Sequence, residues 1–238
     1  CYRVLLKIEM TQIQYSGFEL EYFDSAQNFR NYQLHLIKPY LKGSFLEVGP
    51  GQGGLTKLYK NYLKKITLIE PDKKLYKSLK KKFKNDKKII IKNSLLENIN
   101  QKYDVIIYFD VLEHIKKDLR ELRIAKNKLN KAGYLIINVP AHQQFYNDFD
   151  KRVGHFKRYN KKDFFLMSKK TKLKIINMSY YDSVGFLLLI ISKLFSLNQS
   201  NLKNKVSFWN LLIPLSKIID YFTFNKIGKS LLCILKND

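Results

Sequence analysis

Apolar and polar positions follow two rhythms between residues 44 and 140. Short apolar runs at Ser44–Val48, Ile66–Ile69, Lys88–Ile91, Val105–Phe109 and Tyr134–Val139 have the length and β-branched content of buried strands. Between them apolar residues recur at helical spacing: Leu55, Leu58, Tyr59, Tyr62 and Leu63; then Leu75, Leu79 and Phe83 within Lys73–Lys84; then Leu119, Leu122, Ala125 and Leu129. Strands alternating with helices predict a parallel sheet with right-handed crossovers, a doubly wound α/β fold. Two further apolar runs, Leu173–Ser179 and Ser230–Leu235, bring the sheet to a mostly parallel seven strands. Ligands of such sheets bind beyond the carboxyl ends of the strands, and the motifs below fall at those ends.

The flanks have a different texture. Thr11–Leu41 is polar and aromatic-rich, with helical character near Asn28–Ile37, so residues 1–40 read as a lead or lid and 41–238 as the main domain. Residues 184–225 read as a helical cap inserted before the last strand. Val184–Ile191 is strongly apolar but falls short of the roughly 20 residues that cross a bilayer. Phe208, Leu212, Leu215, Ile219 and Phe222 form a second helical stripe, with a kink expected at Pro214. Two roles suit this segment: a cap packed on the sheet's edge, or a platform that lies on a membrane surface or admits a lipid-like substrate.

Charge changes the picture less than its size suggests. The 238 residues carry a net charge of +24, which fits nucleic-acid binding. The excess is nearly all lysine spread along the chain, arginine is sparse, and asparagine, isoleucine, tyrosine and phenylalanine are abundant, as A/T-rich codons would produce. The densest run, Lys73–Lys88, has its apolar residues at helical spacing, the pattern of a helix with a solvated face. Cys1 and Cys233, at opposite ends, suggest neither a disulfide framework nor a metal cluster. A reducing, cytoplasmic setting with optional peripheral membrane contact follows as the expectation, and no metal is expected. The chain begins at Cys1, with Met10 as an alternative start.

Candidate chemistry concentrates at Leu46-Glu47-Val48-Gly49-Pro50-Gly51-Gln52-Gly53-Gly54, a strand ending in a glycine turn before a helix. Glycines let backbone approach a ligand, and the N–H groups of a helix start point at it. Gly49, Gly51 and Gly54 satisfy G-x-G-x-x-G, while Gly49, Gly51 and Gly53 satisfy E-x-G-x-G-x-G. Glu70, at the end of the second strand, suits the ribose hydroxyls in either case. Glu47 decides between them. A buried carboxylate beside a pyrophosphate is costly unless compensated, whereas S-adenosyl-L-methionine offers a sulfonium and an ammonium.

On these residues the chain resembles class I S-adenosylmethionine-dependent methyltransferases. Leu46–Gly54 resembles their first motif and Ile69-Glu70-Pro71-Asp72 their second. Asp110-Val111-Leu112-Glu113-His114-Ile115 resembles the strand-four segment of the bacterial small-molecule branch. Asn28-Phe29-Arg30-Asn31-Tyr32 resembles a lead that closes over the cofactor. Val139-Pro140-Ala141 and Gly154-His155-Phe156-Lys157-Arg158-Tyr159 resemble the V-P-A and G-H-x-R-R-Y elements of a subgroup associated with surface glycan or lipid pathways, and Pro214 and Phe224–Ser230 resemble its tail. The resemblance covers about residues 20–236 and implies a Rossmann-like methyltransferase fold with S-adenosyl-L-methionine as cofactor. It further implies Glu47 and Asp110 near the methionine end, Gly49, Gly51 and Gly53 under the donor, and Glu70 at the ribose. Where the family usually offers an acidic residue to the adenine amine, this chain reads Asn93-Ser94-Leu95, so Ser94 stands there as a weaker acceptor.

Methyl transfer needs alignment and, for a hydroxyl nucleophile, removal of a proton. His155 is the first candidate base, in a loop with Asp148, Asp150, Arg158, Tyr146 and Tyr159. The same loop also reads as a structural clasp, with Arg158 paired to Asp148 or Asp150. Asp150 and His114 complete the catalytic candidates; His114 also reads as the cap of a helix starting near Ile115, and Glu113 is equally ambiguous. His142 is a weaker candidate, His35 reads as packing or solvent-facing, and Trp209 as core. The place after strand four, Phe109-Asp110-Val111-Leu112, lacks an N-P-P-Y-like base-amine signature, and neither cysteine sits where cytosine methylation needs one. The expectation is methyl transfer to a small-molecule or lipid/glycan-linked acceptor, at oxygen. The rivals are an RNA methyltransferase and a non-catalytic donor-binding module.

Overall fold

The computed structural model describes residues 17, 20–194 and 202–238; Cys1, Met10 and the first part of the lead lie outside them. The lead contributes α1 (Leu20–Ser25) and α2 (Gln27–Ile37). The core then runs β1 (Phe45–Val48), α3 (Gly54–Tyr59), β2 (Ile66–Ile69), α4 (Lys73–Lys82), β3 (Ile89–Lys92), β4 (Tyr103–Phe109), α5 (Asp118–Asn127) and β5 (Leu129–Pro140). After it come α6 (Asp148–Arg152), α7 (Lys161–Thr171), β6 (Lys174–Tyr181), α8 (Ser183–Leu194), α9 (Leu202–Phe222) and β7 (Ser230–Lys236).

The sheet has seven strands in the order β3-β2-β1-β4-β5-β7-β6. The first five are parallel, and β7 is antiparallel to both β5 and β6. This is the mostly parallel, doubly wound sheet the periodicity predicts. Its order reverses between β1 and β4, the switch point at which such sheets open a crevice. Register brings the strand ends level: Val48 pairs with Ile69 and Tyr108, Phe109 with Asn138, Pro140 with Ser230, and Ser230 with Tyr181. Because β7 runs backwards, its first residues reach the same edge as the last residues of its neighbours.

Side chains alternate across this sheet. Leu46, Ile106, Tyr108, Leu135 and Ile137 face α5 and α7, burying Leu122, Ala125, Phe164 and Met167. Phe45, Ile66, Leu68, Val105 and Ile136 face the other way, onto Ile37, Tyr59, Leu79, Trp209 and Ile213. The helix of the lysine run, α4, starts because Asp72 accepts hydrogen bonds from the N–H groups of Lys74 and Leu75, and it buries Leu79 and Phe83.

Several boundaries differ from the pattern. Leu129 opens β5 rather than closing a helix: Asn127 ends α5, and residues 129–140 pair along β4 and β7. The helix from Gly54 ends at Tyr59, where a 3₁₀ turn leaves Tyr62 exposed and Leu63 extended and buried. His114 caps no helix; it ends a 3₁₀ turn, Ile115 is extended, and α5 begins only at Asp118. Pro214 lies inside the continuous helix α9.

The cap folds onto the lead. Asn210 receives hydrogen bonds from the Asn28 side chain and the Phe29 N–H, and Trp209 packs 4.5 Å from the Phe29 ring. Two fully buried carboxylates stitch the cap to β6 and the lead. Asp220 accepts from Tyr32 Oη and from the N–H groups of Asp182 and Ser183. Asp182 accepts from Trp209 Nε1, Ser216 Oγ and the Gly185 N–H, with Lys229 at 3.3 Å. Replacing Asp220 by alanine strands three buried donors. Asp220→Ala is therefore expected to lose about 2–4 kcal/mol of stability in urea unfolding; a loss below about 1 kcal/mol would show that the cap does not depend on this node.

Candidate functional site

The turn after β1 is built for close approach. Gly49, Gly51 and Gly53 have φ of +64°, +56° and +74°. A Cβ on Gly49 would lie 2.8 Å from Val111, and one on Gly53 would lie 2.8 Å from Phe83. Side chains are thus excluded here by sterics as well as by conformation. Leu20 of α1 lies over Gly51, so the lead does cover the glycine turn.

The three acidic candidates occupy different surroundings. Glu47 is buried on the α3 face of the sheet, where Thr56 Oγ1 and Tyr59 Oη both donate to its Oε2. Burial raises its pKa, and the two hydroxyls oppose that. Sequence reading assigned this charge to a cationic ligand; the fold supplies two neutral donors as well. Glu70 stands just past β2, held by the Asp72 N–H at 3.0 Å, and burial pushes its pKa up to about 7. Asp110, just past β4, adopts φ +56° and accepts from Asn138 Nδ2 at 2.7 Å. Its other oxygen lies 3.7 Å from Arg30 of α2, and its side chain is 42% exposed. Arg30 also lies 3.7 Å from Asp24, so the lead is tied electrostatically to the strand-four edge. Ser94 donates to the Leu95 carbonyl, leaving its oxygen lone pairs available, and Asn93 braces the β2 end by donating to the carbonyls of Glu70 and Pro71.

The catalytic candidates converge around a cavity of about 170 Å³ beyond β4 and β5, whose walls include Arg30, Asp110, Glu113, His114, Asp150 and His155. An Asn147–Asp150 capping box starts α6 and puts Asp150 on the inner side. Asp150 accepts from His155 Nδ1 at 2.8 Å and from Arg158 Nε at 2.9 and 3.0 Å. Burial pulls its pKa up, but His155 and Arg158 together hold it below the usual carboxylate range. Both readings of the loop therefore describe one object: Asp150 clasps Arg158 and orients His155. Asp148 is on the surface with Lys151. The Phe156 N–H donates to the Glu113 carbonyl, seating the loop on the turn after β4.

Glu113 is 1% exposed, and neither carboxylate oxygen has a hydrogen-bond donor. Burial drives its pKa well up, and Asp110 and Asp150 add to the shift. His155 Nε2 is 3.9 Å from its Oε1. The His114 ring meets the His155 ring edge-on at 4.7 Å, and its Nδ1 lies 3.2 Å from the Gly154 carbonyl. Burial, with His155 beside it, pushes the His114 pKa down to about 4, so the ring is neutral at pH 7. His142 is turned away, hydrogen-bonded to the Gly228 carbonyl and stacked on Tyr180, and His35 is exposed. Trp209 is both core and cavity wall.

A second cavity of about 420 Å³ adjoins the first and shares Phe23, Phe149, Arg158, Trp209 and Lys229 with it. Lys229 is the functional candidate that sequence reading missed. Its ammonium lies 3.7 Å over the Trp209 ring, and burial lowers its pKa. No spacing rule marks a lysine whose position depends on an antiparallel strand start. The Asn147-x-x-Asp150 capping box, by contrast, was readable.

A doubly wound sheet with a glycine cradle, an acidic residue after β2 and a chamber after β4 that sets ionisable side chains among apolar walls is the architecture of a nucleoside-binding α/β enzyme. The profile of the Methyltransferase domain family matches residues 20–176, and the chain belongs to that family. Two curated relatives are both named ribosomal RNA small subunit methyltransferase A. That of Fusobacterium nucleatum is 42% identical over 65 residues, covering 24% of this chain and 25% of the relative. That of Prochlorococcus marinus is 30% identical over 144 residues, covering 60% and 44%. The matches thus span less than half of either relative's length. Among solved structures, phosphoethanolamine N-methyltransferase 2 of Haemonchus contortus, in complex with S-adenosyl-L-methionine, superimposes with a TM-score of 0.65 at 12% identity, over 93% of this chain and 58% of that one. The family's methyl donor is S-adenosyl-L-methionine. The cradle, Glu70 and Asp110 fit such a group: two glycines admit no Cβ, and Glu70 is engaged by backbone N–H groups alone.

Glu70 generates a pH prediction. Ribose hydroxyls favour its carboxylate, so donor binding releases a proton whenever the free carboxyl is protonated. Affinity for S-adenosylhomocysteine, measured by calorimetry, is expected to weaken as pH falls below about 7, by at most roughly tenfold per pH unit. Glu70→Gln is expected to flatten that profile; a wild-type slope in the variant would remove Glu70 from the ribose.

Proposed function

We propose that this chain transfers a methyl group from S-adenosyl-L-methionine to an oxygen of a lipid-linked acceptor. The donor supplies an electrophilic methyl on a sulfonium. Gly49, Gly51 and Gly53 would let backbone pass beneath it, Glu70 would take the ribose, Ser94 would face the adenine, and Glu47 and Asp110 would balance positive charge at the methionine end. Glu113, His114 and His155 lie close together, and the His155 imidazole would take the proton of an acceptor hydroxyl. Asp150 sets the orientation of His155.

The observation that carries the acceptor class is the second cavity. Leu188, Leu189, Val206 and Phe208 line it beside Arg152, Arg158 and Lys229. An apolar wall beside basic side chains suits an acceptor that joins a hydrocarbon tail to an anionic group. Beyond it, Phe208, Leu211, Leu215, Ile218 and Phe222 form an exposed row on α9, 48–73% accessible, facing away from the buried row of Val206, Trp209 and Ile213. Among the described residues no helix is long and apolar enough to cross a membrane. A row of this kind suits contact with a lipid surface from one side, and the basic chain suits an anionic one.

RNA is the second reading, favoured by the names of the two curated relatives and by the charge. Binding to generic RNA would then fall steeply with salt. The two readings part on an acceptor panel scored by S-adenosylhomocysteine release. A hydroxyl acceptor carrying a long-chain phosphate is expected to exceed its tail-less counterpart at least about tenfold in kcat/KM, since burying only a few methylenes is worth that much; equal values, or turnover on RNA alone, would overturn the lipid-linked reading. In flotation with anionic vesicles, the protein is expected to rise with the lipid, and the combined variant Leu211→Ser, Ile218→Ser, Phe222→Ser is expected to stay below. Failure of the parent chain to float would remove the surface contact.

A further inference from the structure

The chamber and the groove meet at a boundary that carries charge. Two of the residues that wall both cavities are cations, Arg158 and Lys229, set among Phe23, Phe149 and Trp209. Backbone pairing fixes them there. Just past β5, Ala141 bridges Tyr159 on one side, and on the other its N–H donates to the Lys229 carbonyl at 2.9 Å. Arg158 and Lys229 thus flank the end of β5, with their backbones about two strand spacings apart, roughly 10 Å. Two long side chains span that distance between them.

Each cation is anchored by one carboxylate. Both oxygens of Asp150 accept from Arg158 Nε, and Asp182 lies 3.3 Å from the Lys229 ammonium. Asp182 also accepts from Trp209 Nε1, Ser216 Oγ and the Gly185 N–H, so its charge is shared among several donors. Arg158 acts electrostatically on Glu113 as well. On the groove side the balance is one-sided: its described walls hold Arg152, Arg158, Lys205 and Lys229 and no carboxylate. Burial lowers the Lys229 pKa against the pull of Asp182, and the charge of Arg158 adds to the lowering. An anion between the two cations offsets both effects.

We propose that Arg158 and Lys229 form the subsite for a bridging phosphate of the acceptor, with the hydroxyl-bearing head on the chamber side and the hydrocarbon tail on the groove side. The placing of head and tail rests on the lipid-linked methyl-transfer reading; anion binding at the boundary does not. A group seated at this boundary has to continue in both directions. A carboxylate or a sulfonate has a single arm, and a sulfate with two ester arms is neutral. A phosphodiester has two arms and keeps a negative charge. Its two free oxygens suit a guanidinium and an ammonium approaching from different strands. RNA offers the same diester without a tail, which leaves the wall of Leu188, Leu189, Val206 and Phe208 uncovered.

The test uses the whole chain with S-adenosylhomocysteine present, and calorimetry below the micellar range. The probe is glycerol joined through phosphate to a dodecyl chain. It is compared with dodecyl glyceryl ether, which lacks phosphate, with the isomer that carries the phosphate at the far end of the chain, and with tail-less glyceryl methyl phosphate. The diester is expected to bind at least about tenfold tighter than each, since one charge-assisted hydrogen bond or a few buried methylenes is worth that much. Lys229→Gln is expected to remove the advantage over the ether without changing ether affinity, and Lys229→Arg to keep it. Lys226→Gln, at an exposed lysine that walls neither cavity, changes nothing. Thermal melts report folding. Arg158→Lys, which keeps a cation beside Asp150 and removes the fork, is the second variant, and the diester alone is expected to lose roughly tenfold. Equal binding of diester and ether, a parental preference in both Lys229→Gln and Arg158→Lys, or an isomer or tail-less probe that binds as tightly as the diester overturns the subsite. Equal turnover on diester and ether with S-adenosyl-L-methionine also sinks it, while leaving the methyl-transfer reading intact. Diester binding that Lys229→Gln abolishes, without turnover on any hydroxyl acceptor, supports the subsite and sinks the transfer to oxygen.

Discussion

A carboxylate removed from water must be met by donors or by a cation, and much of this molecule is organised around that constraint. Glu47, Asp150, Asp182, Asp220 and Glu113 are all essentially buried. Two hydroxyls answer Glu47, an arginine and a histidine answer Asp150, and indole, hydroxyl, ammonium and backbone donors answer the two aspartates of the cap. Each answer joins segments far apart in sequence. Asp220 links β6, the cap and the lead; Asp150 links α6 to the loop that carries His155. Glu113 alone among these five has no side-chain donor at hydrogen-bond distance, and it lines the chamber beyond β4.

The site is assembled along one edge of the sheet. Parallel strands deliver Gly49, Glu70, Asp110 and Pro140 to that edge because their registers are level, and the reversed β7 brings Lys229 and Ser230 to it from the opposite direction. The lead lies over the glycine turn through Leu20 and reaches the β4 end through Arg30. The cap lies over the lead through Trp209 and Asn210. Chamber and groove share Trp209 and Lys229, so the cap and the residues that lead into β7 wall both cavities.

Much of this was legible in the chain. The strand spacing, the glycine turn and the acidic residue after β2 are local patterns, and each becomes the predicted element because nothing elsewhere competes with it. Boundaries were less legible where tertiary pairing overrides periodicity. Leu129 continues a helical stripe but is taken into β5, because it pairs with Tyr103 at the start of β4, ahead of the stretch from Tyr134 that pairs with β7. His114 precedes a helix but does not cap it, because the turn at Leu112–His114 ends in an extended Ile115. The loop around His155 read as either clasp or active site; the clasp is there, since one carboxylate serves Arg158 and His155 together.

By itself the sequence determined the layer order, the parallel core, the glycine cradle and the short list of ionisable residues, because these depend on contacts within a few residues or on repeating apolar spacing. The tertiary structure alone decided which charges meet. That Glu47 is answered by α3, that Lys229 lies over Trp209, and that Glu113, His114 and His155 point at one another are consequences of strand register and loop seating. Electrostatic partnership acts over a few ångströms in space, and no spacing along the chain encodes it.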